Sequence, residues 1–87
     1  MTASYEVRFA KSFPRDLRSL AHEMVPVVVG KVLKSEEDPR PPQSRKLRGT
    51  TDEYRLRVGD YRVLYTVADD RRLVMVYHVA HRREAYR

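Results

Sequence analysis

An α+β fold, with an antiparallel sheet covered on one face by an N-terminal two-helix hairpin, is predicted by three features of the chain. The stretch YRLRVGDYRVLY, Tyr54 to Tyr65, alternates apolar and polar residues with a period of two on both sides of Gly59-Asp60. Val25, Val28, Val29, Val32 and Leu33 recur instead at helical spacing. Leu73 to Val79 is apolar on both faces, as expected of a strand that is central or covered by a helix. At 87 residues the chain suffices for one core and not two, so residues 1–87 read as a single domain.

The predicted order is β-α-α-β-β-β with a short C-terminal tail or helix. Tyr5, Val7 and Phe9 alternate with Glu6, Arg8 and Ala10 in a first strand. Ser12 is placed to cap the next helix, with Pro14 in its first turn and Asp16 near the positive end of the dipole; Phe13, Leu17 and Leu20 share its apolar face. A turn around His22 to Met24 lets Pro26 open a second helix rather than break one. The valines and Gly30 give that helix poor intrinsic propensity, so packing must hold it, and a valine-rich buried strand is the competing assignment. SEEDPRPPQS, Ser35 to Ser44, is a loop stiffened by Pro39, Pro41 and Pro42. RKLRG, the hairpin, a turn over Ala68 to Arg72 and the final strand complete the chain.

Gly59-Asp60, with glycine first, is the sequence of a type II′ hairpin turn. The register then follows: Val58 faces Tyr61, and Arg57 stands opposite Arg62. At about 5 Å in water two like charges repel by roughly 1 kcal/mol. Arg55 adds a third guanidinium to this face, while Tyr54, Leu56, Val58, Tyr61, Val63 and Tyr65 point into the core. Either the three side chains splay into solvent or an anion relieves the repulsion.

The formal charge of +6 is distributed unevenly. Residues 1–43 carry 7 basic and 6 acidic groups, residues 44–87 carry 11 and 6, and all but one of those 11 are arginine, the side chain suited to bidentate phosphate contacts. A nucleic acid, an acidic protein partner or both suit such a surface. The chain has no cysteine, which excludes a disulfide framework and a thiolate zinc site and fits a reducing compartment. It shows neither a charged N-terminal segment followed by an apolar run nor a stretch long enough to span a bilayer. The expectation is a soluble cytoplasmic protein with no membrane association.

HExxH, glycine-rich phosphate loops, G-x-S-x-G elbows and paired carboxylates in an apolar frame are all missing from the sequence. No metal site and no cofactor are expected. What remains is a set of phosphate-directed groups: Arg55, Arg57 and Arg62 on the sheet, with His81, Arg82, Arg83 and Tyr86 just beyond the last strand. Pairing of that strand with Tyr61 to Val67 would bring His81 and Arg82 back toward Arg62. Guanidinium groups so placed suit a pentavalent phosphate transition state, His81 can exchange a proton near neutrality, and Tyr86 can stack on a base. His78, inside the strand, reads as structural, and His22 as a surface residue at the helix junction.

KLRG, then YRLRVGDYRVLY, an apolar strand and the closing HVAHRREAYR resemble the RelE/ParE superfamily of bacterial toxins, over essentially the whole chain from Tyr5 to Arg87. The ending is similar to that of the ribosome-dependent RelE-type mRNA interferases rather than the ParE-type gyrase inhibitors. The resemblance implies a RelE-like, microbial-RNase-like fold and the toxin role in a type II toxin-antitoxin system. It further implies metal-independent cleavage of mRNA in the ribosomal A site, by attack of the 2′-OH on the adjacent phosphate. Implied partners are mRNA on the ribosome with 16S rRNA contacts, and a cognate acidic antitoxin through which alone operator DNA is bound. A ParE-like gyrase inhibitor without nuclease activity, or a non-catalytic RNA- or protein-binding relative, are the alternatives.

By the same resemblance, Arg62 matches the arginine that stabilises the phosphate, Arg82 the arginine near the leaving group, and Tyr86 the tyrosine that positions the nucleotide. Arg55 and Arg57 stand where some relatives have lysines assigned to base or charge-stabilising roles. Arginine, with a pKa above about 12, does not accept the proton. Arg55 and Arg57 are therefore expected to grip phosphate together with Arg83, Lys46 and Arg48, leaving His81, a lysine in some relatives, as the acid or base.

Overall fold

The central hairpin folds in the predicted register. In the computed structural model, which describes residues 4–81 and 83, strand β3 (Glu53–Val58) pairs antiparallel with β4 (Tyr61–Ala68), placing Val58 opposite Tyr61 and Arg57 opposite Arg62. Gly59 has φ +58°, and Arg72 is the only non-glycine at positive φ among the described residues. Asp60 therefore keeps a negative φ and the turn is type II′.

Five further strands and helices build on this pair among the described residues. β1 (Glu6–Phe9) is followed by α1 (Phe13–Arg18), α2 (Met24–Leu33) and a single tight turn at Lys34–Glu36; β2 (Ser44–Lys46) precedes the hairpin, β5 (Leu73–His81) is the last described element, and the expected C-terminal tail or helix lies outside the described residues. The sheet order is β1-β5-β4-β3-β2. Two-residue and four-residue connections make β3, β4 and β5 antiparallel neighbours, whereas β1 reaches β5 across the helical crossover and pairs with it in parallel, Glu6 with Leu73 through Phe9 with Val76. The short β2 is an addition to the predicted order; it pairs Arg45 with Arg55 and Lys46 with Tyr54. β5 is central, as its two apolar faces predicted.

One pleat of the sheet and the two helices enclose the core. Leu56, Val58, Val63, Tyr65, Val67, Val74, Val76 and Val79 meet Phe13, Leu20, Val28 and Val32. Each fully buried valine contributes on the order of 1.5 kcal/mol or more by leaving water, and this holds α2 in place despite its poor propensity. Pro26 sits in the first turn of α2, as predicted, where it removes no helical hydrogen bond. Leu33 departs from the predicted stripe: it is 43 % exposed, because the chain tightens after Val32 and Ser35 turns inward, its Oγ donating to the Val32 carbonyl. Ser12 occupies the N-cap position of α1 but donates to the Tyr77 carbonyl instead of capping.

One irregularity positions the site. Across β4 and β5 the pairing passes from Leu64 with His78 to Tyr65 with Val76, leaving Tyr77 as an extra, bulged residue. Simple alternation from Val74 and Val76 would send His78 inward and His81 outward. After the bulge, Val79 is buried, so His78 lies on the outer pleat and His81 on the helix side.

Candidate functional site

Two rows of paired residues run across the outer pleat. The first is Arg45, Arg55, Leu64 and His78; the second is Arg57, Arg62 and Ala80. Four guanidinium groups thus share the pleat opposite the one that the buried core residues of the two helices meet. Leu64 is only 7 % exposed there. Among the described residues neither Arg57 nor Arg62 forms an ion pair; Arg62 donates to the Tyr61 carbonyl at 3.3 Å. The carboxylate nearest along β3, Glu53, accepts from the Tyr77 hydroxyl at 2.8 Å. Burial first, and the Glu53 contact second, push the Tyr77 phenol up to about 12.

The basic surface continues around the β2 edge. Arg45, Lys46, Arg48 and Arg55 line an open concavity of about 570 Å³ with Leu47. Lys46 lies on the helix-side pleat, opposite Tyr54, and Arg48 in the following turn, so both approach from the rim rather than from the arginine rows. Arg45 was not singled out by the sequence reading. The signal for it was present, since pairing SRK with YRL puts Arg45 beside Arg55.

His81 does not join the arginine rows. It pairs with Tyr61 on the helix-side pleat, the two rings meeting edge to face at 5.7 Å, and its Nδ1 accepts from the backbone N–H of Arg83 at 3.3 Å. With Nδ1 accepting, the neutral ring carries its proton on Nε2. Arg62 faces Ala80 across the strands, and Arg83 is exposed just past the end of β5. Arg82 and Tyr86 lie outside the described residues.

His78, read from the sequence as structural, is held by α1. The Asp16 carboxylate lies 2.8 Å from its Nδ1 and also accepts from the Val79 backbone N–H at 3.4 Å. Asp16 thereby satisfies the part of the β5 edge that β1 is too short to cover. No group of three or more His, Asp or Glu side chains suited to a metal ion occurs among the described residues. No helix among them is long and apolar enough to cross a membrane.

Comparisons with known proteins bear on the whole fold. The family described as the ParE toxin of the type II toxin-antitoxin system, parDE, matches residues 7–86. Toxin RelG of Mycobacterium tuberculosis is 33 % identical over 87 residues, covering 95 % of this chain and 97 % of RelG. The archaeal RelE-RelB complex from Pyrococcus horikoshii contains a chain that is 30 % identical, with a TM-score of 0.81 over 94 % of this chain and 99 % of that one. The isolated RelE toxin of E. coli is 28 % identical with a TM-score of 0.75, over 90 % and 84 % of the two chains. Sequence and architecture agree along nearly the full length, and the chain belongs to the RelE/ParE superfamily of type II toxin-antitoxin toxins.

Proposed function

We propose that this protein is a RelE-type toxin, a metal-independent endoribonuclease that cleaves mRNA in the ribosomal A site and is neutralised by a cognate acidic antitoxin. The observation that carries the reading is the pairing of Arg57 with Arg62, flanked by Arg55 and Arg45, on the pleat opposite the core. Like charges opposed across a hairpin cost stability, and a polyanion removes that cost. The reading is also supported by likeness to proteins named RelG and RelE, one of them solved with RelB.

In this mechanism the 2′-OH attacks the adjacent phosphate, the bond to the 5′-oxygen breaks, and the products are a 2′,3′-cyclic phosphate and a 5′-hydroxyl. Arg62 stabilises the charge that develops on phosphorus-bound oxygens, and Arg57 and Arg55 grip the flanking phosphate. Arg82 acts near the leaving group and Tyr86 positions the nucleotide. His81, the last residue of β5, lies on the pleat opposite the arginine rows, and its Nε2 proton would reach the departing 5′-oxygen from around the end of the strand. Lys46, Arg48 and Arg83 extend the grip along the RNA, including 16S rRNA. Operator DNA is reached only through the antitoxin.

The ParE family match favours a second reading, a gyrase inhibitor without nuclease activity. Expression in a bacterial host followed by primer extension on an abundant mRNA separates the two. Cuts in frame with the codons are expected, and Arg62→Ala should lower cleavage on programmed ribosomes on the order of 10²- to 10³-fold. An SOS response with intact mRNA would sink the nuclease reading in favour of the second.

A further inference from the structure

None of the four arginines on this face can accept a proton. β5 carries two imidazoles, His78 on the pleat of the arginines and His81 on the opposite one, and their hydrogen bonds set them in opposite tautomers. His81 accepts at Nδ1 and so presents Nε2–H. His78 faces a carboxylate at Nδ1, and an ionised carboxylate only accepts; the same Asp16 oxygen also accepts the Val79 N–H. Nδ1 of His78 therefore carries a proton, and in the neutral ring the lone pair is on Nε2.

The position of His78 matches this state. It shares the outer pleat with Arg62, as the diagonal neighbour two residues from Ala80, the direct partner of Arg62. Diagonal neighbours on a sheet stand roughly 7–8 Å apart, a span that a phosphodiester can bridge, and Ala80 beside them carries only a methyl group. The His78 side chain is 36 % exposed, against 18 % for Asp16, so the ring is reachable while its anchor is sheltered. The charged and titratable groups bordering it are Asp16 on α1, Arg62 on β4 and Tyr77 in its own strand.

We infer that His78 is the general base of the RNA cleavage proposed above and that Asp16 is its positioning residue. The inference rests on that nuclease reading. His78 Nε2 takes the proton from the 2′-OH as the oxygen forms its bond to phosphorus, and the Asp16 carboxylate faces the charge that the ring gains. The 5′-oxygen leaves with a proton from a separate acid, so no other reactant is needed. An Asp-oriented imidazole of this kind is a recurrent way to fix tautomer and ring direction.

Single-turnover cleavage on programmed ribosomes, measured across pH 5.5 to 9 for wild type, His78→Gln, His81→Gln and Asp16→Asn, tests the assignment. His78→Gln should lower the rate about 10²-fold or more and abolish the acid limb of the pH profile, while His81→Gln leaves that limb in place. Asp16→Asn should reduce the rate at least about tenfold with little change in mRNA binding. A His78→Gln enzyme that cuts within a few-fold of wild type, or keeps the acid limb, overturns the base assignment alone. A wild-type protein that never cuts removes the nuclease reading and this inference with it. ¹⁵N NMR of the wild-type imidazoles gives a check that does not depend on the variants folding: a His78 found unprotonated at Nδ1 also overturns the assignment.

Discussion

Tyr77 shows how one bulged residue can matter twice. Its hydroxyl donates to Glu53, and its phenol is pushed up to about 12 from an ordinary 10.0, chiefly by burial and then by that carboxylate. The native state thus holds the proton more tightly than the unfolded chain. The stabilisation is complete below pH about 10 and is lost as pH rises toward about 12. Allowing for solvent screening, the pH-dependent part of this stability amounts to about 1 kcal/mol. Urea-unfolding midpoints measured from pH 8 to 11.5 should fall less steeply at the alkaline end for Tyr77→Phe than for wild type. The same bulge exchanges His78 and His81 between faces, which no reading of period-two alternation could show. Nothing in the local sequence of Val76-Tyr77-His78-Val79 marks which residue is skipped; the register is decided by Val74, Val76 and Val79 all seeking the core.

At the level of elements, the β3–β4 hairpin was the most legible part of the chain because its information is local. Gly59 supplies a turn that takes positive φ at its first position, and the alternation on either side does the rest. The opposed Arg57 and Arg62 follow from that register alone, and they imply a trade between stability and function. Arg57→Glu replaces a repulsive cross-strand pair with an attractive one and should stabilise the isolated protein by about 0.5 kcal/mol, read from chemical denaturation. The same variant should lose RNA cleavage; a more stable protein with full activity would show that the face has another purpose. β2 escaped the sequence reading for the opposite reason. Three residues after a proline-rich loop carry too little periodicity, and its place is set by distant contacts, including the Arg57 N–H donated to the Gln43 carbonyl. The parallel pairing of β1 was equally hidden, since its partner lies more than 60 residues away.

For the molecule as a whole, Arg40 ties four regions together. From the proline-rich loop its guanidinium forms a bidentate pair with Asp69 in the β4–β5 turn, donates to the Tyr54 hydroxyl on β3 and lies over the Tyr54 ring, while Tyr5 beside β1 donates to the same Asp69. Arg40 first, and Tyr5 second, hold the Asp69 carboxyl below its ordinary range. A carboxyl lowered in the folded state adds stability that is present above its unfolded value and lost as pH falls through its folded one. Asp69→Asn should therefore melt at a lower temperature than wild type near pH 7, and the two melting curves should converge as pH drops below the carboxylate range. A gap that persists in acid would mean that packing, not charge, ties the loop down.

The parallel pairing of the first and last strands also sets the order of events during synthesis. β1 has no partner until β5 has emerged, and β5, which joins β1 to β4, is the last strand described. A nascent chain paused anywhere before Leu73 consequently has helices and a hairpin but no closed sheet, and the second row of the arginine face lacks its third member, Ala80. A toxin built this way completes its arginine face only after nearly all of its strands have been made.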